Sequence, residues 1–100
     1  MRKSEKDIEK ALVKMIRRQG GDCLKFVSPG NTGVPDRVCI VPGIPPFFVE
    51  LKREDGGVLS EKQIYWASRL QSLGAGAYII HTEAQIDALE LDLIGRKGKR

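Results

Sequence analysis

The sequence predicts an α/β domain, a small mixed β-sheet flanked by helices in the order α-β-β-β-α-β-α. Three observations carry that expectation. Ile8, Leu12, Met15 and Ile16 recur at helical spacing in a run that ends at Gly20-Gly21. Two short apolar runs, Val38-Cys39-Ile40-Val41 and Phe47-Phe48-Val49, flank Pro42-Gly43-Ile44-Pro45-Pro46, a stretch that can turn but cannot continue a central strand. Ser60 stands three residues before Gln63, and Thr82 three before Gln85, each in the pattern that opens a helix.

Taken in order, Glu5 to about Gln19 reads as the first helix, with Ser4 placed to cap it. Cys23 to Val27 is a strand, and Ser28-Pro29-Gly30-Asn31-Thr32-Gly33 is a loop. The two apolar runs pair as an antiparallel hairpin, so the first three strands form a meander. Glu54-Asp55-Gly56-Gly57 is a turn. The helix opened by Ser60 runs to about Leu73, with Gly74 in the usual terminating position. Ile64, Trp66, Ala67, Leu70 and Leu73 read as its buried side. Ala77 to His81 is the last strand, and Thr82 opens a final helix through Ile86, Leu89 and Leu93. A helix between the third and fourth strands leaves room for a right-handed crossover, so those two strands are expected to be parallel.

One hundred residues, 41% hydrophobic and 30% charged, make one soluble domain with one core. The domain is expected over residues 1–95, followed by a basic tail at 96–100. That tail, Arg96-Lys97-Gly98-Lys99-Arg100, is either a solvated end or an arm that touches phosphates. No apolar run reaches the roughly 20 residues a bilayer requires. Met1 to Asp7 lacks the hydrophobic segment of a secretory signal, so the expected location is the cytoplasm of a bacterium or of a virus-infected host cell. Cys23 and Cys39 match no zinc or redox spacing and are expected to be buried, reduced thiols. A net charge of +4 admits a nucleic-acid partner without requiring one.

The chemistry concentrates at one end of the hairpin. Asp36, in Gly33-Val34-Pro35-Asp36, and Glu50, in Glu50-Leu51-Lys52, are brought to the same end by antiparallel pairing. Strand alternation puts Glu50 and Lys52 on one face and Val49 and Leu51 on the other. Carboxylates beside a lysine can hold a hard divalent cation and a water to be activated, the minimum equipment for metal-assisted phosphodiester cleavage. Taken singly, Asp36 reads first as a turn residue opening a strand and Glu50 as an exposed partner of Lys52; it is their joint spacing and order that favour the catalytic reading. Lys52 either orients and helps deprotonate the attacking water or stabilises charge on the phosphorane. The second role is favoured, because nearby carboxylates keep the ammonium protonated. Gln63 has an ordinary task in the capping box with Ser60. Arg37, Arg53, Lys62 and Arg69 are candidates for phosphate contacts. The loop from Ser28 to Gly33 either offers amide donors to a nucleic-acid backbone or is a plain connector. His81 reads as structural.

The succession of Glu9 in the first helix, Gly33-x-Pro35-Asp36, Glu50-Leu51-Lys52 and Gln63 in the next helix resembles the VRR-NUC family. That family belongs to the PD-(D/E)xK, restriction-endonuclease-like superfamily, whose core is α-β-β-β-α-β. The resemblance covers about residues 5 to 90. Lys25-Phe26-Val27-Ser28-Pro29-Gly30 leading into Gly33-Val34-Pro35-Asp36-Arg37 is similar to compact stand-alone members found in bacteria and their viruses.

The resemblance implies a catalytic set of Glu9, Asp36, Glu50, Lys52 and Gln63. It implies Mg2+ or Mn2+ held by Asp36, Glu50 and the main-chain carbonyl of Leu51. Glu9 would reach the ion directly or through water, with Glu5, one turn earlier, the competing choice. Gln63 would border the site and position a water or a phosphate oxygen. The implied activity is that of a divalent-metal-dependent DNA endonuclease, selective for branched DNA such as four-way junctions and acting as a homodimer. Residue spacing itself says nothing of that preference. The alternatives are a nucleic-acid-binding module that kept the fold without the chemistry, and an interaction protein whose acids form a solvated edge. The intact Asp36, Glu50 and Lys52 set stands against the first of these.

Overall fold

The three helices all open on reciprocal capping boxes, Ser4 with Asp7, Ser60 with Gln63 and Thr82 with Gln85. Each cap contributes about 1 kcal/mol by satisfying amides that have no partner inside the helix. In the computed structural model, which describes residues 3–98, the elements are α1 (Glu5–Arg18), β1 (Asp22–Lys25), β2 (Arg37–Val41), β3 (Ile44–Leu51), α2 (Glu61–Ser72), β4 (Gly76–Ile80) and α3 (Glu83–Lys97). The sheet has the spatial order β1-β2-β3-β4. β1, β2 and β3 are antiparallel neighbours, and β3 and β4 run parallel across α2. This is the predicted element order and the predicted mixed sheet.

One face of the sheet carries the core. Ile8, Leu12, Met15 and Ile16 of α1 and Ile86, Leu89 and Leu93 of α3 close over Cys39, Val41, Phe47, Val49, Leu51 and Ile80. Strand alternation sends Phe48 and Glu50 to the opposite face, where α2 lies and packs chiefly on β4. At the far end of α1, Arg18 and Gln19 hold Glu90 of α3, and Lys97 Nζ donates to the Gln19 carbonyl at 3.1 Å. No helix among the described residues is long and apolar enough to cross a membrane.

Three expectations are corrected. Ile44, Pro45 and Pro46 are not a turn but the start of β3, and the hairpin turns on Pro42-Gly43 alone, with Gly43 at φ +79° and Val41 paired to Ile44. The prolines are tolerated because β4 joins β3 only from Phe47 onward, so their missing N–H groups fall where β4 does not reach. In α2 only Ala67 is buried, whereas Ile64 and Leu73 are exposed and Trp66 and Leu70 half-buried. A helix resting mainly on an edge strand covers only a narrow stripe of itself. Arg96 and Lys97, expected in the tail, complete α3 instead. Lys99 and Arg100, like Met1 and Arg2, lie outside the described residues.

Candidate active site

The register of the hairpin assembles the site. Arg37 pairs with Val49, so Asp36 falls beside Glu50 at the end of the two central strands. Neighbouring side chains leave a strand on opposite faces. Arg37 therefore turns toward α1, and Asp36 turns with Glu50 toward α2. The loop before Asp36 is pressed against the start of α2. Gly33 sits at φ +96°, and a Cβ placed on it would lie 2.6 Å from Lys62 Cβ and 2.7 Å from the Lys62 carbonyl carbon. That close approach, followed by the buried Pro35, seats Asp36 next to the helix turn carrying Gln63.

Gln63 completes the capping box and also reaches Glu50. Its Oε1 accepts the Ser60 N–H at 2.8 Å, while Nε2 donates to Glu50 Oε2 at 3.1 Å. Lys52 is half-buried, and its own amide donates to the Ile80 carbonyl at 3.0 Å, continuing the β3–β4 ladder past Leu51.

The electrostatics of this corner are unusual for a protein surface. Glu50 is only 6% exposed. Burial, reinforced by the charge of Asp36 and opposed by Lys52, pushes its carboxyl up to about 7. Asp36 is also raised, first by burial, with the Leu51 amide pulling the other way. Asp36 Oδ1 is buried with no hydrogen-bond partner among the described residues. Two crowded carboxylates, one with an orphaned oxygen, are donors of the kind a hard divalent cation takes. Among the described residues, no three His, Cys, Asp or Glu side chains gather as a cation cage.

Glu9 and Glu5, the two α1 carboxylates weighed for the site, have different neighbours. Glu9 is held by a short ion pair with Arg37 Nη2, and Arg37, 8% exposed, also donates from Nη1 to the Cys23 carbonyl at 3.4 Å. Glu5 is the α1 carboxylate whose charge raises both Asp36 and Glu50. Position thus puts Glu5 among the charges that act on the pair, while Glu9 is engaged by Arg37. The signal was in the sequence: Arg37, next to Asp36 on a strand, must face α1 and needs a carboxylate there. The same burial removes Arg37 from the candidate phosphate contacts. Arg53 closes its own turn, donating to the Asp55 carbonyl at 2.6 Å and the Gly56 carbonyl at 3.1 Å. Lys62 and Arg69 remain exposed. His81 is half-buried, and its main-chain N–H donates to Gln85 Oε1 at 2.6 Å, extending the cap of α3.

A Glu-x-Lys strand end, an aspartate on the adjacent strand and a helix glutamine, set on an α-β-β-β-α-β core, define a restriction-endonuclease-like domain. A protein of Acyrthosiphon pisum secondary endosymbiont phage 1, named "Putative nuclease p44", is 39% identical over 79 residues, which are 79% of this chain and 84% of that protein. A solved structure described as "VRR_NUC domain" superposes with a TM-score of 0.79 at 26% identity, covering 85% of this chain and 91% of its own. No family model matches the sequence. The chain belongs to the VRR-NUC family of nucleases.

Proposed function

We propose that the chain is a divalent-metal-dependent DNA endonuclease. Asp36, Glu50 and the main-chain carbonyl of Leu51 would hold Mg2+ or Mn2+. The observation that carries this reading is the crowded carboxylate pair, Glu50 buried and raised to about 7, Asp36 half-buried with its Oδ1 unpartnered among the described residues. Such a pair is destabilising unless positive charge arrives to balance it. A bound ion supplies Lewis-acid polarisation of a phosphate oxygen and eases the loss of a proton from water.

The chain's own residues do the rest. Lys52, whose charge acts on Glu50, would supply an ammonium to stabilise the negative charge that builds on the phosphorus in the transition state. Gln63 fixes the Glu50 carboxylate through Nε2 and so limits its rotamers. Glu5 adds a third negative charge to the field of the pair, which favours a doubly charged cation. The net charge of +4 supports a polyanionic substrate.

One such site cuts one strand, so paired incision needs two copies related by symmetry. The exposed apolar residues Leu24, Ile40, Ile64, Tyr65 and Leu73 offer surface for a second copy. A homodimer acting on branched DNA, such as a four-way junction, is the form of the activity we favour. The test is cleavage of matched linear, flapped and four-way DNA by wild type and Glu50→Gln with magnesium or manganese. Wild type should cut, the variant should not, and excess chelator should stop the reaction. An undiminished rate in chelator would remove the metal from the reading, and equal rates on the three substrates would remove the branch preference.

A further inference from the structure

Cys23 and Cys39, which show no recognisable spacing in the sequence, stand directly opposite each other on β1 and β2 with their Sγ atoms 3.8 Å apart. The Phe26 N–H donates to the Asp36 carbonyl at 2.9 Å, which marks that facing pair as hydrogen-bonded. Bonded and non-bonded pairs alternate along an antiparallel ladder. The Cys23–Cys39 pair is three steps further and therefore non-bonded. In such pairs the Cα atoms lie about 4.5 Å apart and the side chains converge. That separation is within the span of a disulfide, so the sulfurs can meet by side-chain rotation with the strands in place.

The two thiols are unequal. Cys39 is fully buried, whereas Cys23 is half-exposed on the edge strand. The Cys39 thiol donates to Cys23 Sγ. This bond, together with the Arg37 charge, draws the Cys23 thiol below its usual range and leaves Cys39 raised.

We infer that Cys23 and Cys39 form an oxidisable dithiol that reacts with hydroperoxides and closes to a cross-strand disulfide. The Cys23 thiolate attacks one peroxide oxygen and the O–O bond breaks. Cys23 becomes a sulfenic acid, and the departing oxygen of hydrogen peroxide leaves as water after taking a proton. Cys39 Sγ then attacks Cys23 Sγ, the S–O bond breaks, and hydroxide leaves with the Cys39 proton as a second water. Two thiols lose two electrons in all, and one peroxide becomes two waters. The ring so closed contains residues 24–38, including the loop from Ser28 to Gly33 and Asp36. Oxidation ties the edge strand to its neighbour and restricts that whole segment in the unfolded chain.

The full chain, reduced and then treated with hydrogen peroxide in the presence of chelator, tests this without any cleavage assay, so its failure is separate from failure of the nuclease reading. Non-reducing mass spectrometry after alkylation should show a single chain lighter by two hydrogen atoms with no alkylatable thiol. The thermal midpoint should rise by about 10 °C and fall back with dithiothreitol. Cys23→Ser, at the half-exposed position, should show neither change. Cys39→Ser should stall at a Cys23 sulfenic acid that dimedone traps. Wild-type protein that keeps both thiols, or that forms only chain-to-chain disulfides or a sulfinic acid, overturns the inference.

Discussion

Gln63 binds Glu50 and Ser60 with opposite ends of one carboxamide, Nε2 to Glu50 Oε2 at 3.1 Å and Oε1 to the Ser60 amide at 2.8 Å. The cap of α2 and the acid at the end of β3 are therefore one hydrogen-bonded unit. The helix start cannot shift without moving the acid.

Ser60→Ala removes the hydroxyl cap and leaves the bond to Glu50. It should lower stability by about 1 kcal/mol with little change in cleavage. Gln63→Ala should lose similar stability and also slow cleavage by about tenfold or more, because Glu50 is then free to rotate. Thermal melts and initial rates measured side by side separate the two. Matching rates for both variants would leave Gln63 a cap and nothing else.

Asp36→Ala, Glu50→Gln and Lys52→Ala should each reduce cleavage by at least about a hundredfold while the fold persists. Glu50→Gln carries a sharper expectation. Burial favours the neutral form of Glu50, so a neutral isostere should melt no lower than wild type in chelator near pH 7. A large drop in its melting temperature would mean that the carboxylate is structural.

The pH dependence follows from the same shift. Glu50 is raised from 4.5 to about 7 in the folded chain. Between those values the native state holds a proton that the unfolded chain has released, so stability declines as pH rises through that window. The loss is about 3 kcal/mol. Thermal midpoints in chelator should fall from pH 5 to pH 8, and Glu50→Gln should flatten the slope. Added magnesium should recover stability at the upper end by binding only the folded state. A wild-type midpoint that does not fall over this range contradicts the burial of Glu50.

Glu5→Gln and Glu9→Gln should behave differently. The first changes the charge acting on Asp36 and Glu50 and should lower cleavage or metal affinity with little effect on melting. The second leaves the buried Arg37 guanidinium without its counter-charge and should lower stability by about 2 kcal/mol or more. Isothermal titration with manganese and thermal melts distinguish the two outcomes. The reverse pattern would restore Glu9 as the acid of the site.

Gly33→Ala should be far more damaging than Gly30→Ala. Both glycines have positive φ, but a Cβ at Gly30 meets nothing within 4 Å, while one at Gly33 collides with Lys62. Gly30→Ala should cost about 1 kcal/mol. Gly33→Ala should cost more and lower activity as well, since relief of the clash moves Asp36 away from α2. Denaturant melts of the two variants provide the comparison.

Element order was legible because α2 and α3 announce themselves with a polar cap three residues before a reciprocal partner and α1 by its apolar spacing, and these local rules hold whatever the tertiary setting. The pairing of Asp36 with Glu50 was legible for a similar reason, since an antiparallel hairpin brings its open ends together. Pro45 and Pro46 were misread because their tolerance depends on where β4 begins, a fact of topology and not of the segment itself. The exposed Ile64 and Leu73 were misread for the same kind of reason: the apolar spacing of α2 does not reveal how little sheet lies beneath it. The Cys23–Cys39 pair was hidden because cross-strand opposition leaves no regular interval along the chain.

Asp36 and Arg37 are adjacent in the chain yet serve opposite sides of the sheet, one beside Glu50 and the other against Glu9. A slip of β2 by a single position would deliver a guanidinium where an acid belongs and expel Cys39 and Val41 from the interior. Lineages carrying this strand can therefore vary by exchanging side chains, whereas gain or loss of one codon within it would destroy chemistry and folding together. Length changes have room only upstream, in the exposed part of the loop near Gly30.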